Sequence, residues 1–223
     1  MTPGIRSSRL RWFVSALAAV ALIGCSFPLD APVELWMNSH QNPAVIAVAK
    51  SISRFSAWPW LISAAAVCLA FAWVRQKRNA VSVLVAMIIA SSLAGLSADV
   101  LRGSTGRTRP YATPAGIAEQ GWYGVHSGSQ WLVGQHAYNA FPSGHTATAA
   151  AFSVALFLSR RVLGAVLLGC TGVVAASRIY LGAHHFSDVI AGAVLGSAVA
   201  LWVHGRLMPR LSRRSRPTRS LQG

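Results

Sequence analysis

The chain has 223 residues, 53% of them hydrophobic, and its Lys and Arg outnumber Asp and Glu by 20 to 5, a net charge of +15. Only 11% of residues are charged, against roughly 25% in a soluble domain. So much apolar content excludes a disordered basic tail, so little charge excludes an ordinary soluble enzyme, and the long apolar runs argue against a nucleic-acid binder. What remains is a small polytopic membrane protein, in which the position of each Lys or Arg matters more than the sum.

In chain order, Trp12–Leu29, Phe55–Val74 and Asn79–Ala98 carry no charge and come close to or reach the ~20 apolar residues a membrane helix needs. Thr146–Ser159, Val162–Ser177 and Val189–Val203 are shorter. They reach spanning length if their ends extend into polar residues that face a shared wet cavity, since lipid would not tolerate those residues. The prediction is an all-α fold, a single domain over 1–223 with six transmembrane helices. Gly192 and Gly196 in the sixth span form a small-xxx-small pair suited to close packing. Cys25, Cys68 and Cys170 lie in apolar runs and read as small buried hydrophobes.

Arg6, Arg9 and Arg11, then Arg75, Lys77 and Arg78, then Arg160 and Arg161, and the tail residues Arg206, Arg210, Arg213, Arg214, Arg216 and Arg219 all fall on one face. The positive-inside rule makes that face cytoplasmic, with both termini inside. The tail from about 206 reads as a flexible basic segment drawn to anionic lipid. The opposite face keeps Lys50, Arg54, Arg102, Arg107, Arg109 and Arg178, with the acids Asp30, Glu34, Asp99, Glu119 and Asp188 on or near it. Leu22-Ile23-Gly24-Cys25 admits two readings, a lipoprotein processing box or simply the outer part of the first helix. The two long connections, Asp30–Arg54 and Arg102–Pro142, read as outer loops, and the second carries Tyr111, Trp122, Tyr123, Trp131, Tyr138 and Phe141 as a headgroup lid or as interfacial anchors.

Three polar clusters stand at outer span ends: Arg102 to Arg109-Pro110, Pro142-Ser143-Gly144-His145, and Ser177-Arg178 to His184 and Asp188. Arg102, Arg109 and Arg178 offer planar forks suited to phosphate oxygens. Ser143 is a candidate helix N-cap, and the amides that follow it can bind an anion beside His145. His184 and Asp188, four apart, share one helix face, so the carboxylate can fix the imidazole tautomer and leave the other nitrogen free to attack. A second histidine can protonate the leaving group. Such a set suits phosphoryl transfer, which is mostly positioning and charge stabilisation. No Asp/Glu cluster offers a Mg²⁺ site, so the arginines would neutralise the phosphate and neither metal nor cofactor is expected. Asp99, one turn before Arg102, either pairs with a site arginine or is simply interfacial.

Arg102-x6-Arg109-Pro110, Pro142-Ser143-Gly144-His145 and Ser177-Arg178-x5-His184-x3-Asp188 resemble the three-part signature of the type-2 phosphatidic acid phosphatase superfamily. The usual first residue is Lys; Arg102 keeps the charge but lengthens and flattens the donor. The resemblance implies His184 as a nucleophile that becomes a phosphohistidine, Asp188 as its partner and His145 as the acid for the leaving oxygen. It implies Arg102, Arg109, Ser143, Gly144 and Arg178 as the phosphate cradle, and a metal-independent reaction. It further implies a membrane lipid phosphate or isoprenoid pyrophosphate as substrate, at an active site on the periplasmic side of a bacterial inner membrane. Phosphotransfer to an acceptor other than water is an alternative, and a non-catalytic anion or lipid transporter a more remote one. No nucleic-acid partner is expected; the oligomeric state and the headgroup are left open, and His40, His126 and His136, on outer loops outside the motifs, are assigned no role.

Overall fold

The computed structural model describes residues 3–111 and 120–214; Glu119 and the tail residues Arg216 and Arg219 lie outside them. The described residues form eight α-helices: α1 (Pro3–Ser26), α2 (Asp30–Ser39), α3 (Pro43–Phe55), α4 (Trp58–Val74), α5 (Arg78–Thr105), α6 (Gly144–Ser159), α7 (Arg161–Tyr180) and α8 (Phe186–Arg214). The expected spans correspond to α1, α4, α5, α6, α7 and α8. The stretch read as a loop at 30–54 is instead helical. There the Asn42 side chain accepts from the Ala44 amide at 2.9 Å and Pro43 opens α3, a strong start signal.

Four helical stretches among the described residues are long and apolar enough to cross a membrane: Trp12–Ser39, Arg78–Thr105, Arg161–Tyr180 and Phe186–Arg210. Helices α3 and α4, bent by 55° at their junction, qualify together as a fifth. The count of six therefore does not follow from length alone, because α6 has only 16 residues, short of ~20. The reason is its place in the fold: α6 packs against α5, α7 and α8, and a helix enclosed by others need not match the bilayer. The protein is a multi-pass membrane protein. A two-residue hairpin pair, β1 (His126–Ser127) with β2 (Gln130–Trp131), is a small departure from the all-α prediction.

The core is made of small residues repeated every fourth position. Ala86, Ala90, Ala94 and Ala98 line α5, Ala147, Ala151 and Ala155 line α6, and Gly192, Gly196 and Ala200 line α8, all buried. Lipid is as apolar as leucine, so membrane helices gain little from the hydrophobic effect and associate by close van der Waals packing. The approach of α8 to α6 is close: a Cβ on Gly192 would lie 2.5 Å from the Ser143 carbonyl oxygen, and one on Gly196 2.2 Å from that of Ala147. The three cysteines are not buried but exposed, on α1, α4 and α7; a thiol facing lipid needs no protein cover. The basic tail starts later than 206, because Leu207 and Met208 pack on the core and α8 continues through Pro209 to Arg214.

Candidate active site

The last two turns of α5 carry Asp99 and Arg102, which form an ion pair. The helix stops at Gly106, whose backbone is left-handed (φ 57°); a Cβ there would lie 2.0 Å from the Gly124 carbonyl oxygen, so both conformation and space demand glycine. Beyond it the chain is threaded through neighbouring backbone. The Arg109 amide donates to the Ala137 carbonyl at 2.9 Å, and the Ala140 amide to that of Arg107 at 3.0 Å. Arg107 and Arg109 are thereby buried, and the Arg109 Nη2 donates to the Asn139 carbonyl at 3.1 Å.

Helix α6 opens after Ser143, which occupies the N-cap position with extended backbone. Its hydroxyl does not cap the first-turn amides as expected; it accepts from the Thr146 hydroxyl at 3.1 Å. Its own amide donates to the Asp188 carbonyl at 2.9 Å, tying the start of α6 to α8. Gly144 lets the Arg102 guanidinium lie against the helix start, since a Cβ there would be 3.1 Å from the Arg102 Cζ and both Nη atoms. At the end of α7, Arg178 donates to the hydroxyl of Ser53 on α3.

His184 is 1% exposed. It precedes α8 rather than sharing a helix face with Asp188, because the helix begins at Phe186. Asp188 sits in the first turn and its Oδ2 accepts from the His185 amide at 2.8 Å, the arrangement of a capping box. The His184 Nδ1 therefore finds the Ala140 carbonyl at 2.8 Å, to which it can only donate, while the Asp188 carboxylate lies 3.7 Å away. That assigns the tautomer and leaves Nε2 as the unprotonated nitrogen. Burial pushes the His184 imidazole down to about 4, against the opposing pull of Asp188, so it is neutral at physiological pH.

The structure brings the motif residues together. His145 lies in the field of Arg178, His184, Arg102 and Arg109, and Arg109 and Arg178 act likewise on His184. Three buried nitrogens of this group, Arg109 Nε, Arg178 Nε and His184 Nε2, have no hydrogen-bond partner among the described residues. A cavity of about 350 Å³ begins at Arg102, Gly144 and His145 and continues along Trp58, Gly95 and Leu96. Residues 79–210 match the PAP2 superfamily. The chain belongs to that superfamily.

Among relatives of the PAP2 chain, a lipid A 1-phosphatase of Rhizobium etli is 28% identical over 205 residues, covering 86% of this chain and 83% of the relative. A bacitracin transport permease protein, BcrC, of Bacillus licheniformis is 28% identical over 166 residues, covering 74% and 71%. The fold is that of a crystal structure of a transmembrane PAP2-type phosphatidylglycerolphosphate phosphatase from Bacillus subtilis, with a TM-score of 0.60 at 18% identity over 93% of this chain and 98% of that one.

Several residues around the PAP2 site went unread in the sequence. Arg107 joins Asp188 and Asp30 in ion pairs, Ser187 bonds both Arg107 and Asp30, and Ser53 holds Arg178. The available signal was Asp30 and Glu34, two acids one turn apart in an N-terminal third otherwise poor in acids. The aromatic loop divides: Tyr138 is buried against Tyr123, and Trp122 meets Phe27 and Phe141 at ring distances of 6.0 and 5.1 Å, while Tyr111, Trp122 and Trp131 stay exposed. At the exposed rim, the Tyr111 hydroxyl hydrogen-bonds His136, whose imidazole is held below its ordinary range by Arg109, with burial adding to it.

Proposed function

We propose that the chain is a metal-independent lipid-phosphate phosphatase that works through a phosphohistidine on His184. The observation that carries this reading is the buried His184 Nε2 beside Arg109 Nε and Arg178 Nε, all three without a partner among the described residues. Buried polar atoms normally have partners. A nucleophilic nitrogen and two guanidinium N–H groups left free at one place are what a tetrahedral phosphate can satisfy.

In the proposed reaction, Nε2 attacks phosphorus and the bond to the lipid oxygen breaks, with His145 giving that oxygen a proton. The imidazole becomes cationic, and the Ala140 carbonyl and the Asp188 carboxylate on its Nδ1 side stabilise the charge. Water then attacks the phosphorus, His145 takes its proton, the P–N bond breaks and phosphate leaves. Arg102, Arg109, Arg178, the Ser143 hydroxyl and the Gly144 amide cradle the phosphoryl oxygens through both steps, in which positioning and charge stabilisation are the main contributions. Three fixed guanidinium charges neutralise the phosphate.

The lipid reading draws on the cavity, which is polar at Arg102 and His145 and apolar along Trp58 and Leu96, and on the similarity to a lipid A 1-phosphatase and to a phosphatidylglycerolphosphate phosphatase. The site lies at the helix ends opposite Arg75, Lys77, Arg78, Arg160 and Arg161, so positive-inside bias supports an inner-membrane protein with both termini cytoplasmic and its site facing the periplasm.

The test is phosphate release by the purified protein in EDTA from phosphatidic acid, phosphatidylglycerol phosphate, lipid A and undecaprenyl pyrophosphate. At least one should yield inorganic phosphate, and His184→Ala should lose that activity while remaining folded. Wild-type activity in His184→Ala would overturn the nucleophile, and phosphorylated acceptor in place of free phosphate would indicate transfer instead of hydrolysis.

A further inference from the structure

Behind His184 a buried set of charges joins the start of α2, the segment after α5 and the start of α8. Arg107, 7% exposed, lies with its guanidinium 5.2 Å from the Phe27 ring centre and 4.9 Å from that of Trp122. Its Nη2 donates to Asp30 Oδ2 at 2.7 Å, and its Nη1 donates to Ser187 Oγ at 2.7 Å and to Asp188 Oδ1. Asp30 in turn accepts from the Ser187 amide and hydroxyl, each at 2.7 Å. One turn along α2, Glu34 comes within 3.6 Å of His185, whose Nε2 donates to the Thr108 carbonyl at 3.0 Å.

We infer that Arg107 and Asp30 are positioning residues for the reaction: together they lock the carboxylate of Asp188 so that its Oδ2 stays toward His184. The inference rests on the reading of His184 as nucleophile. A carboxylate rotates readily about its last torsion, a broad two-fold well. In this protein one oxygen, Oδ1, is fixed by Arg107, and the other, Oδ2, takes the His185 amide at 2.8 Å and faces the His184 ring at 3.7 Å. At that distance the carboxylate is held in waiting: it is too far for a hydrogen bond to the neutral ring and close enough to stabilise the cation formed on attack.

Burying a charge costs several kcal/mol, and a pair of helix ends could be joined by apolar packing at less cost. An arginine fork between two carboxylates adds what apolar packing cannot, a fixed orientation. Asp30 belongs to none of the motifs and lies before the 79–210 segment that matches the superfamily. The α1–α2 arm is thus part of the active-site construction as well as a membrane element.

Arg107→Met keeps an apolar stem between Phe27 and Trp122 and removes the fork; Asp30→Asn keeps the shape and removes the charge. Each is measured for kcat and KM on a lipid phosphate that the wild type hydrolyses, beside Asp188→Asn, the double variant Arg107→Met with Asp188→Asn, and His184→Ala. Loss of a group that orients a catalytic side chain should lower activity about 10- to 100-fold, the range seen when the outer partners of metal ligands are removed. Here the loss should fall in kcat with KM nearly unchanged, Arg107→Lys should recover part of it, and Arg107→Met should add no further loss once Asp188 is Asn.

A folded Arg107→Met with wild-type kcat, or a loss that multiplies with that of Asp188→Asn, overturns the inference. If Arg107→Met does not fold, Asp30→Asn, which leaves the Arg107–Asp188 pair in place, is judged by the same criteria. An active His184→Ala overturns the nucleophile reading itself. An inactive His184→Ala beside a full-rate Arg107→Met overturns the clamp alone.

Discussion

Gly196→Ala tests whether the close contact of α8 with α6 sets the geometry of the site. The added Cβ would stand 2.2 Å from the Ala147 carbonyl oxygen and 2.9 Å from the Ala151 amide nitrogen. A carbon normally approaches a carbonyl oxygen to about 3.3 Å, so roughly 1 Å is missing. Both obstacles are backbone, and no rotamer change relieves them; the helices must part. Such overpacking costs about 1–3 kcal/mol. The same displacement acts on the bond from the Ser143 amide to the Asp188 carbonyl, 2.9 Å long, which keeps the start of α6 beside the start of α8. Misplacing reacting groups by about 1 Å costs about a hundredfold in rate. Purified Gly196→Ala should therefore show a lowered thermal midpoint and about a hundredfold lower kcat/KM on a lipid phosphate. Gly205→Ala, on the same helix but with nothing within 4 Å of its Cβ, should keep full activity. A Gly196→Ala protein within twofold of wild type in both measurements would refute the argument.

Two further outcomes are expected. Gly144→Ala places a Cβ 3.1 Å from the Arg102 guanidinium, the far end of a flexible side chain. The fold should hold while the fork is displaced, with kcat/KM falling about tenfold or more, the worth of a charged hydrogen bond; an equal loss in an Arg102→Ala background would refute the mechanism. The second concerns pH without substrate, since a phosphate ester titrates near 6 itself. The folded-state pKa of His184, about 4, lies below the unfolded ~6.5, so the unfolded state binds the proton first as pH falls. Relative to His184→Asn, the wild type should keep a constant thermal midpoint above pH 6.5, lose stability between 6.5 and about 4, and lose no more below that. A difference that stays constant from pH 7 to 4 would refute the assignment.

The helices were legible because a run of about 20 uncharged residues has few other uses, and five of the six expected spans recur as helices of 17 residues or more. The exception is informative. Nothing in Thr146–Ser159 says that α6 is short because it is enclosed by α5, α7 and α8. The amphipathic α2 and α3 were missed because Asp30 and Glu34 in the one and Lys50 and Arg54 in the other read as loop when lipid is the assumed surroundings. The four-residue repeat of Ala and Gly in α5, α6 and α8 was present in the sequence, yet its meaning depends on which faces meet.

By itself the sequence determined the solvent, since 53% hydrophobic and 11% charged residues cannot cover a water-facing surface. It also singled out the side chains proposed to do the chemistry, because Arg, His and Ser in three fixed spacings are costly in a membrane and have no packing use there. Only the tertiary structure decided how those groups are held. The Ala140 carbonyl on Nδ1 of His184, the hydroxyl of Ser53 on Arg178 and the Asp30–Arg107–Asp188 set all join residues 44 to 125 positions apart. Such contacts arise where helix ends converge, and no local periodicity encodes that convergence.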